Sequence, residues 1–337
     1  MEKSVVPSFT SIGPGIRRRL HHWPPLESYS LVGKVVVLTG ATSGIGEAAA
    51  SLYAHAGATL VIVARNPDKA NVLLETLRKE SGNSDLHAFI ADLGVREEVE
   101  RVAAELASQF PVIDVLAHNA GILLNQRKRA DNGTDLSVEL MVVTPFLLTA
   151  LLLPQLGYHS PDPAQESGHQ PHSAQQREPG RVLTMSSGGM YTEGLSVEHL
   201  EMTDDNYQGM QQYARAKRAQ VVLNEIWAEK VPANEVVFHA LHPGWVDTPG
   251  VSDALPGFSK VLKPLGLLRS PREGADTLMW LSAAAEPANR SGQFWHDRAV
   301  RDINMSNATR KSDTQEKRDA LWDWCEKHTR WQWPANK

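Results

Sequence analysis

A chain of 337 residues with 42% hydrophobic side chains carries enough apolar material for one large folded domain or two smaller ones. Its 34 basic and 39 acidic residues leave a net charge of -5, which excludes nucleic-acid recognition through a broad basic surface. The lone cysteine, Cys325, excludes an internal disulfide and has no metal-ligand partner at a recognisable spacing.

No stretch reaches the roughly 18 consecutive apolar residues of a membrane helix, and the N-terminus lacks the residue order of a signal peptide, so a cytosolic protein is expected. Ahead of the first strand, Phe9, Ile12, Ile16, Leu20 and Trp23 recur near helical spacing beside Arg17-Arg18-Arg19. This extension, residues 1–30, is expected to pack against the domain; a basic amphipathic helix on a membrane surface is the alternative.

From Lys34 onward, short β-branched runs alternate with helical patterns. Val35 to Leu38 is a strand, 44–57 a helix, Leu60 to Val63 a strand, 67–80 a helix, and Leu86 to Ile90 a strand. The rhythm continues with a helix at 95–109, a strand at Val112 to Ala117, a helix over 134–156 and a strand at Val182 to Met185. A helix at 210–230, a strand at Val236 to Ala240 and a short strand near Gln293 to His296 follow. These elements predict one α/β domain over 31–300: a Rossmann-type, doubly wound parallel sheet of about seven strands. Between 157 and 180 the chain turns polar and proline-rich, a solvent-exposed insertion in which His159, His169 and His172 match no rigid metal pattern. Residues 301–337 form a helical tail rich in tryptophan, suited to closing a core or a subunit contact.

The first strand runs directly into Thr39-Gly40-Ala41-Thr42-Ser43-Gly44-Ile45-Gly46 and then an alanine-rich helix. Strand, glycine turn and helix in this order predict a dinucleotide site. Gly40 allows the tight turn, Gly44 a close approach of backbone to pyrophosphate, and Gly46 the packing of helix on strand; free amides at the helix start attract phosphates. The hydroxyl of Ser43 adds a donor, and Thr42 and Ile45 complete the turn. After the second strand the chain reads Ala64-Arg65-Asn66, where an NAD enzyme would place a carboxylate on the ribose. Arg65 instead suits a 2′-phosphate, so NADP(H) is expected rather than NAD(H).

Tyr213 and Lys217 stand four residues apart, on one face of a helix, a spacing that suits an acid/base pair. With the glycine turn, Asp92-Leu93, Asn119-Ala120-Gly121, Ser186-Ser187 and His242-Pro243-Gly244-Trp245-Val246-Asp247-Thr248, the chain over about 31–298 resembles the short-chain dehydrogenase/reductases. That resemblance implies that Ser187 holds a substrate carbonyl, Tyr213 donates its proton, and Lys217 lowers the tyrosine pKa and binds the nicotinamide ribose. It implies cofactor contacts at Asp92, Leu93, Asn119, Ala120 and Gly121, and a nicotinamide frame of Pro243, Gly244, Val246 and Thr248. It also implies a substrate lid running on to about Leu268. Ser186, by the same resemblance, faces inward.

One position departs from the family. Eight residues beyond Gly133, where the family usually carries an asparagine that supports a proton-relay water, this chain has Met141. Leu140, Val142, Val143 and Pro145 make the neighbourhood apolar, so an asparagine restored there is expected to destabilise rather than to accelerate. Three functions follow: an NADP(H)-dependent oxidoreductase interconverting a carbonyl and an alcohol, an NADP(H)-binding protein with little turnover, or a peripheral membrane enzyme acting on lipid-like carbonyls. The partner expected is a small-molecule carbonyl or alcohol. The resemblance also suggests a homo-oligomer paired through the helices at 95–110 and 134–156 or 210–230.

Overall fold

The computed structural model describes residues 8–159, 177–250 and 256–334. Its centre is an eight-stranded sheet in the order β3-β2-β1-β4-β5-β6-β7-β8. The strands are β1 (Val35–Thr39), β2 (Thr59–Ala64), β3 (Leu86–Ile90), β4 (Val115–His118), β5 (Gly180–Met185), β6 (Val236–His242), β7 (Gln293–His296) and β8 (Ala299–Val300). Strands β1 to β7 are parallel, as the alternating pattern predicts, and β8 pairs antiparallel with β7. Every residue of β5 and β6 is buried, the signature of strands covered on both faces.

Helices α2 (Gly44–His55), α3 (Pro67–Ser81) and α8 (Pro271–Ala283) are packed into one layer, and the other layer holds α4 (Arg96–Gln109), α5 (Leu136–Leu156) and α6 (Gly209–Lys230). By length and composition α5 could cross a membrane, with mean hydropathy 2.1, but 78% of that apolar window is buried inside the protein, so it serves as a core helix. Residues Glu139–Val143 widen it into a π-helical turn. Such turns free backbone groups inside a helix and often mark functional sites.

Both ends of the chain are laid onto this domain. The N-terminal helix α1 (Ile12–Leu20) does pack against it, but with an unexpected face: Gly13 and Pro14 are buried, while Ile12 is 48% and Leu20 64% exposed. At the other end, α9 (Asn307–Ser312) leads into α10 (Gln315–Thr329). Trp322 lies against Phe146 of α5 and Trp227 of α6, with ring centroids 4.9 and 4.8 Å away, and Trp331 and Trp333 complete the cluster. The tail therefore covers a part of the α5/α6 surface that was expected to pair subunits. Cys325 is buried within this packing. The proposed insertion lies mostly outside the described residues, as do His169 and His172. Among the described residues no group of three potential ligands could hold a metal.

Candidate active site

Strands β1 and β4 are neighbours although far apart in sequence, and the connections from them leave in opposite directions along the sheet. A crevice at their carboxyl ends is where open α/β sheets take ligands. Gly40 leaves β1 with φ +68°, and a Cβ on it would stand 2.8 Å from the Ala120 Cα, so only glycine permits this approach. A Cβ on Gly46 would overlap the Gly40 carbonyl. Asn119 ties the crevice together by donating from its amide to the carbonyls of Thr39 and Gly40 at 3.2 and 3.0 Å. The Thr39 hydroxyl accepts from the amides of Asn119 and Ala120, both at 3.1 Å. The glycine turn and the end of β4 thus form one rigid cradle.

Ser43 precedes α2 in extended conformation, and its hydroxyl makes no capping bond, so it stands available above the first turn. Across the cleft, a Cβ on Gly44 would touch the Thr248 methyl at 3.1 Å, which places the loop after β6 directly over the turn. Val246 is buried against Ile45 and Gly274. Pro243 and Gly244 are buried behind it, and Gly244 (φ +86°) fits only because Arg269 needs the space of its missing side chain. Leu93 is buried and its carbonyl accepts from Thr144; Asp92 binds the Gly94 amide at 2.9 Å. Arg65 projects from the end of β2 with 75% of its side chain exposed, 3.9 Å from the Asp92 carboxylate. Its fork is open to an anion at the rim of the cradle, and Ala64 beside it adds no opposing charge.

The other group of residues converges at the ends of β5 and α6. Ser186 is buried and donates to the Lys217 carbonyl at 3.2 Å, facing inward as expected. The Ser187 hydroxyl accepts from the Gly189 amide at 3.3 Å and lies close enough to Tyr213 to act on its phenol. Lys217 is 2% exposed; its Nζ donates to the Met185 carbonyl at 2.7 Å and lies 5.5 Å from the Tyr213 ring centroid. Burial pushes the Lys217 ammonium down to about 7. Burial pushes the Tyr213 phenol up, and the Ser187 hydroxyl only partly offsets this. The protein alone therefore keeps the phenol protonated, the form a proton donor needs; lowering its pKa takes an added positive charge beside it.

Sequence reasoning missed what lies behind Met141. This side chain is fully buried in the π turn, and its sulfur and the Lys217 ammonium converge on Gly121, 3.3 and 3.4 Å from where a Cβ there would sit. On its far side is a cavity of about 20 Å³ whose walls include His118, Thr184, Gln220 and Asn224. Both amide atoms of Gln220 and the Asn224 carbonyl oxygen have no hydrogen-bond partner among the described residues. Gln220 and Asn224 follow Lys217 by three and seven residues, the one signal that could have placed them on its face of the helix. Also missed was the buried group Arg269, Asp297, His296 and His242, which shows no sequence periodicity at all.

Comparison with known proteins places this architecture. Residues 34–169 match the family described as short chain dehydrogenase. Dehydrogenase/reductase SDR family member 12 of Homo sapiens is 34% identical over 285 residues, 84% of this chain and 83% of that protein. The chain belongs to the short-chain dehydrogenase/reductase family. It is therefore an oxidoreductase. Retinol dehydrogenase 11 of Mus musculus is 24% identical over 85% of this chain and 84% of its own. Among solved structures, L-sorbose reductase from Gluconobacter frateurii, complexed with NADPH and L-sorbose, shares the fold with TM-score 0.61 at 22% identity, over 79% of this chain and 95% of that one.

Proposed function

We propose that this family member is an NADP(H)-dependent oxidoreductase that interconverts a carbonyl and an alcohol. The observation that carries the reading is the meeting of Ser187, Tyr213 and Lys217 beside a backbone cradle that a single Cβ would fill. The cradle fits a dinucleotide: Gly40, Thr42, Ser43, Gly44, Ile45 and Gly46 would hold the pyrophosphate, with Asp92, Leu93, Asn119, Ala120 and Gly121 along the adenosine half. Pro243, Gly244, Val246 and Thr248 would frame the nicotinamide, and the exposed fork of Arg65 would take the 2′-phosphate. The NADPH of L-sorbose reductase is consistent with this choice.

Bound there, the cofactor supplies a hydride. The Ser187 hydroxyl orients the substrate carbonyl and Tyr213 passes its phenolic proton to the oxygen as negative charge develops. Lys217 is held against the Met185 carbonyl, so its ammonium lies where it can stabilise the tyrosinate and meet the ribose hydroxyls. The test is a panel of aldehydes, ketones, retinoids and steroids with NADPH, read by loss of the nicotinamide absorbance. The expected result is turnover by the wild type that Tyr213→Phe abolishes while NADPH affinity stays within about twofold. Equal rates for the two proteins on every accepted compound would refute the assignment of the acid.

A further inference from the structure

We propose that α1 and the segment after β6 together form a surface that docks on an anionic lipid bilayer, at the rim of the substrate site. Of the eleven large apolar side chains left exposed among the described residues, Ile12, Leu20, Val261 and Leu265 belong to these two segments, at 48, 64, 62 and 64%. Ser11 joins them: its amide donates to the Leu267 carbonyl at 3.1 Å and its hydroxyl to the Gly266 carbonyl at 2.6 Å. Helix α1 is turned opposite to a helix that packs by its apolar face. It buries Gly13, Pro14 and much of Arg17, whose guanidinium pairs with Asp297, and shows Ile12 and Leu20 to solvent.

The charge of this surface runs against that of the chain. Residues 8–26 hold Arg17, Arg18 and Arg19, and residues 256–268 hold Lys260 and Lys263, with no acidic residue in either stretch of a chain whose net charge is -5; carboxylates from elsewhere pair with Arg17 (Asp297), Arg18 (Asp276, 3.8 Å) and Lys263 (Asp247, 2.8 Å), which leaves Arg19 and Lys260 as the cations with no ion pair among the described residues. Arg19 and Lys260 are exposed and 63% of the Lys263 side chain is. Exposed apolar side chains flanked by basic ones on a short amphipathic helix match the headgroup boundary of an anionic membrane, where the apolar groups enter the acyl region and the cations meet phosphate.

The second segment, α7 (Pro256–Leu262) and the turn after it, rises from the loop that carries Val246 and Thr248 and returns at Arg269, whose backbone bridges Val246. Docking therefore faces the substrate entrance towards the bilayer. The substrate class that fits is an apolar carbonyl or alcohol partitioned into lipid. This last step rests on the proposed function; the docking itself does not.

The experiment is sedimentation of the full chain with vesicles of phosphatidylcholine alone or containing phosphatidylserine, at low and high salt. The expected result is binding to the anionic vesicles that salt weakens and that the double variant Ile12→Glu/Leu20→Glu reduces about tenfold or more, with melting temperature and NADPH affinity unchanged. Arg19→Glu should weaken anionic binding without removing an apolar contact. No sedimentation with either vesicle, or binding that the double variant leaves intact, overturns the proposal; equal binding to both vesicles overturns its anionic selectivity. A chain that sediments but reduces no carbonyl counts against the enzymatic reading alone, and one that reduces soluble ketones without sedimenting counts against the docking alone.

Discussion

Arg269 and Asp297 form a buried bidentate ion pair, 2.6 Å and 3.0 Å long, with 1 and 3% of their side chains exposed. The remaining donors of Arg269 go to the backbone carbonyls of Ser8, Phe9, Thr10 and Pro243, so one side chain binds the N-terminal segment to the loop after β6. Phe9, thus held, packs edge-on against His242 at 4.4 Å between centroids and touches Gly188 beside Ser187. Arg269→Met leaves Asp297 with Arg17 and His296 and takes a donor from four carbonyls, of which those of Ser8, Phe9 and Thr10 keep one from His296, Trp245 and Gly13 while that of Pro243 is stranded. Removing one partner of a buried pair costs about 3–5 kcal/mol. Urea denaturation should show a loss in that range, with earlier proteolysis within residues 8–20; a loss below about 1 kcal/mol would mean the segment is held by its other contacts.

Four buried histidines make stability sensitive to acid. Burial lowers His118 to about 3 and His239 to about 4, and puts His242 and His296 below their ordinary value as well. A histidine kept neutral in the fold binds its proton less readily than in the unfolded chain, whose value is about 6.5. Its contribution is complete above that pH and is lost as pH falls towards the folded value. Between pH 6.5 and 5, His118 and His239 should each remove about 2 kcal/mol. Melting temperatures should be level from pH 8 to 7 and then fall steeply. His118→Gln, which keeps a polar partner for Thr149, should make that fall shallower; a flat curve down to pH 5 would contradict the burial argument.

Arg65→Asp exchanges a phosphate partner for a group that repels phosphate and suits a ribose diol. NADPH affinity should drop ten- to a hundredfold, about 1.5–3 kcal/mol, and NADH affinity should rise. Fluorescence titration of both cofactors reads this directly. An unchanged ratio would remove the basis for preferring NADP(H).

Removing the Trp322 indole opens a hole among Phe146, Trp227 and Trp333. Trp322→Ala should cost about 3–5 kcal/mol. Ending the chain at Asp313 should do more, because it uncovers the apolar faces of α5 and α6. Light scattering should then show self-association beyond that of the full chain.

Where the sequence could be read, the reason is periodicity. Val35 to Leu38 or Leu60 to Val63 admit little except a buried parallel strand, and the glycine turn between strand and helix carries its own chemistry. The seven parallel strands were legible on those grounds; Tyr213 and Lys217 were paired by their four-residue spacing on a helix, and Ser187 was supplied by the family resemblance alone. Strand β8 was not, because Ala299–Val300 is too short to show alternation. The orientation of α1 was not either: apolar residues at helical spacing show that a helix has a face, but which way it turns is decided here by Arg17 reaching Asp297, some 280 residues away. The π turn and the cavity behind Met141 depend on side chains from β4, α5 and α6 meeting in space, and the immediate neighbours of Met141 gave a wholly apolar picture of a half-polar place.

That difference changes what Met141→Asn should do. From Leu140, Val142, Val143 and Pro145 alone, an asparagine would be left unsatisfied at a cost of about 1–3 kcal/mol. The structure adds His118, Thr184, Gln220 and Asn224 to the walls of the same cavity, with the Gln220 amide lacking a partner among the described residues. An asparagine side chain brings two donors and one acceptor, a match for the oxygen and the amide of Gln220. It is shorter than methionine, so it also enlarges a cavity of about 20 Å³, already enough for one water with polar neighbours. Such a water would lie between the new amide and the region where Met141 and Lys217 now meet at Gly121. The expected outcome is a stability change below about 1 kcal/mol and a severalfold rise in turnover on any accepted carbonyl, with the gain lost in Met141→Asn/Lys217→Ala. Thermal melts and steady-state rates decide: a fall in melting temperature with no gain in rate would show that Met141 is held by its apolar neighbours and that the polar wall behind it is out of reach.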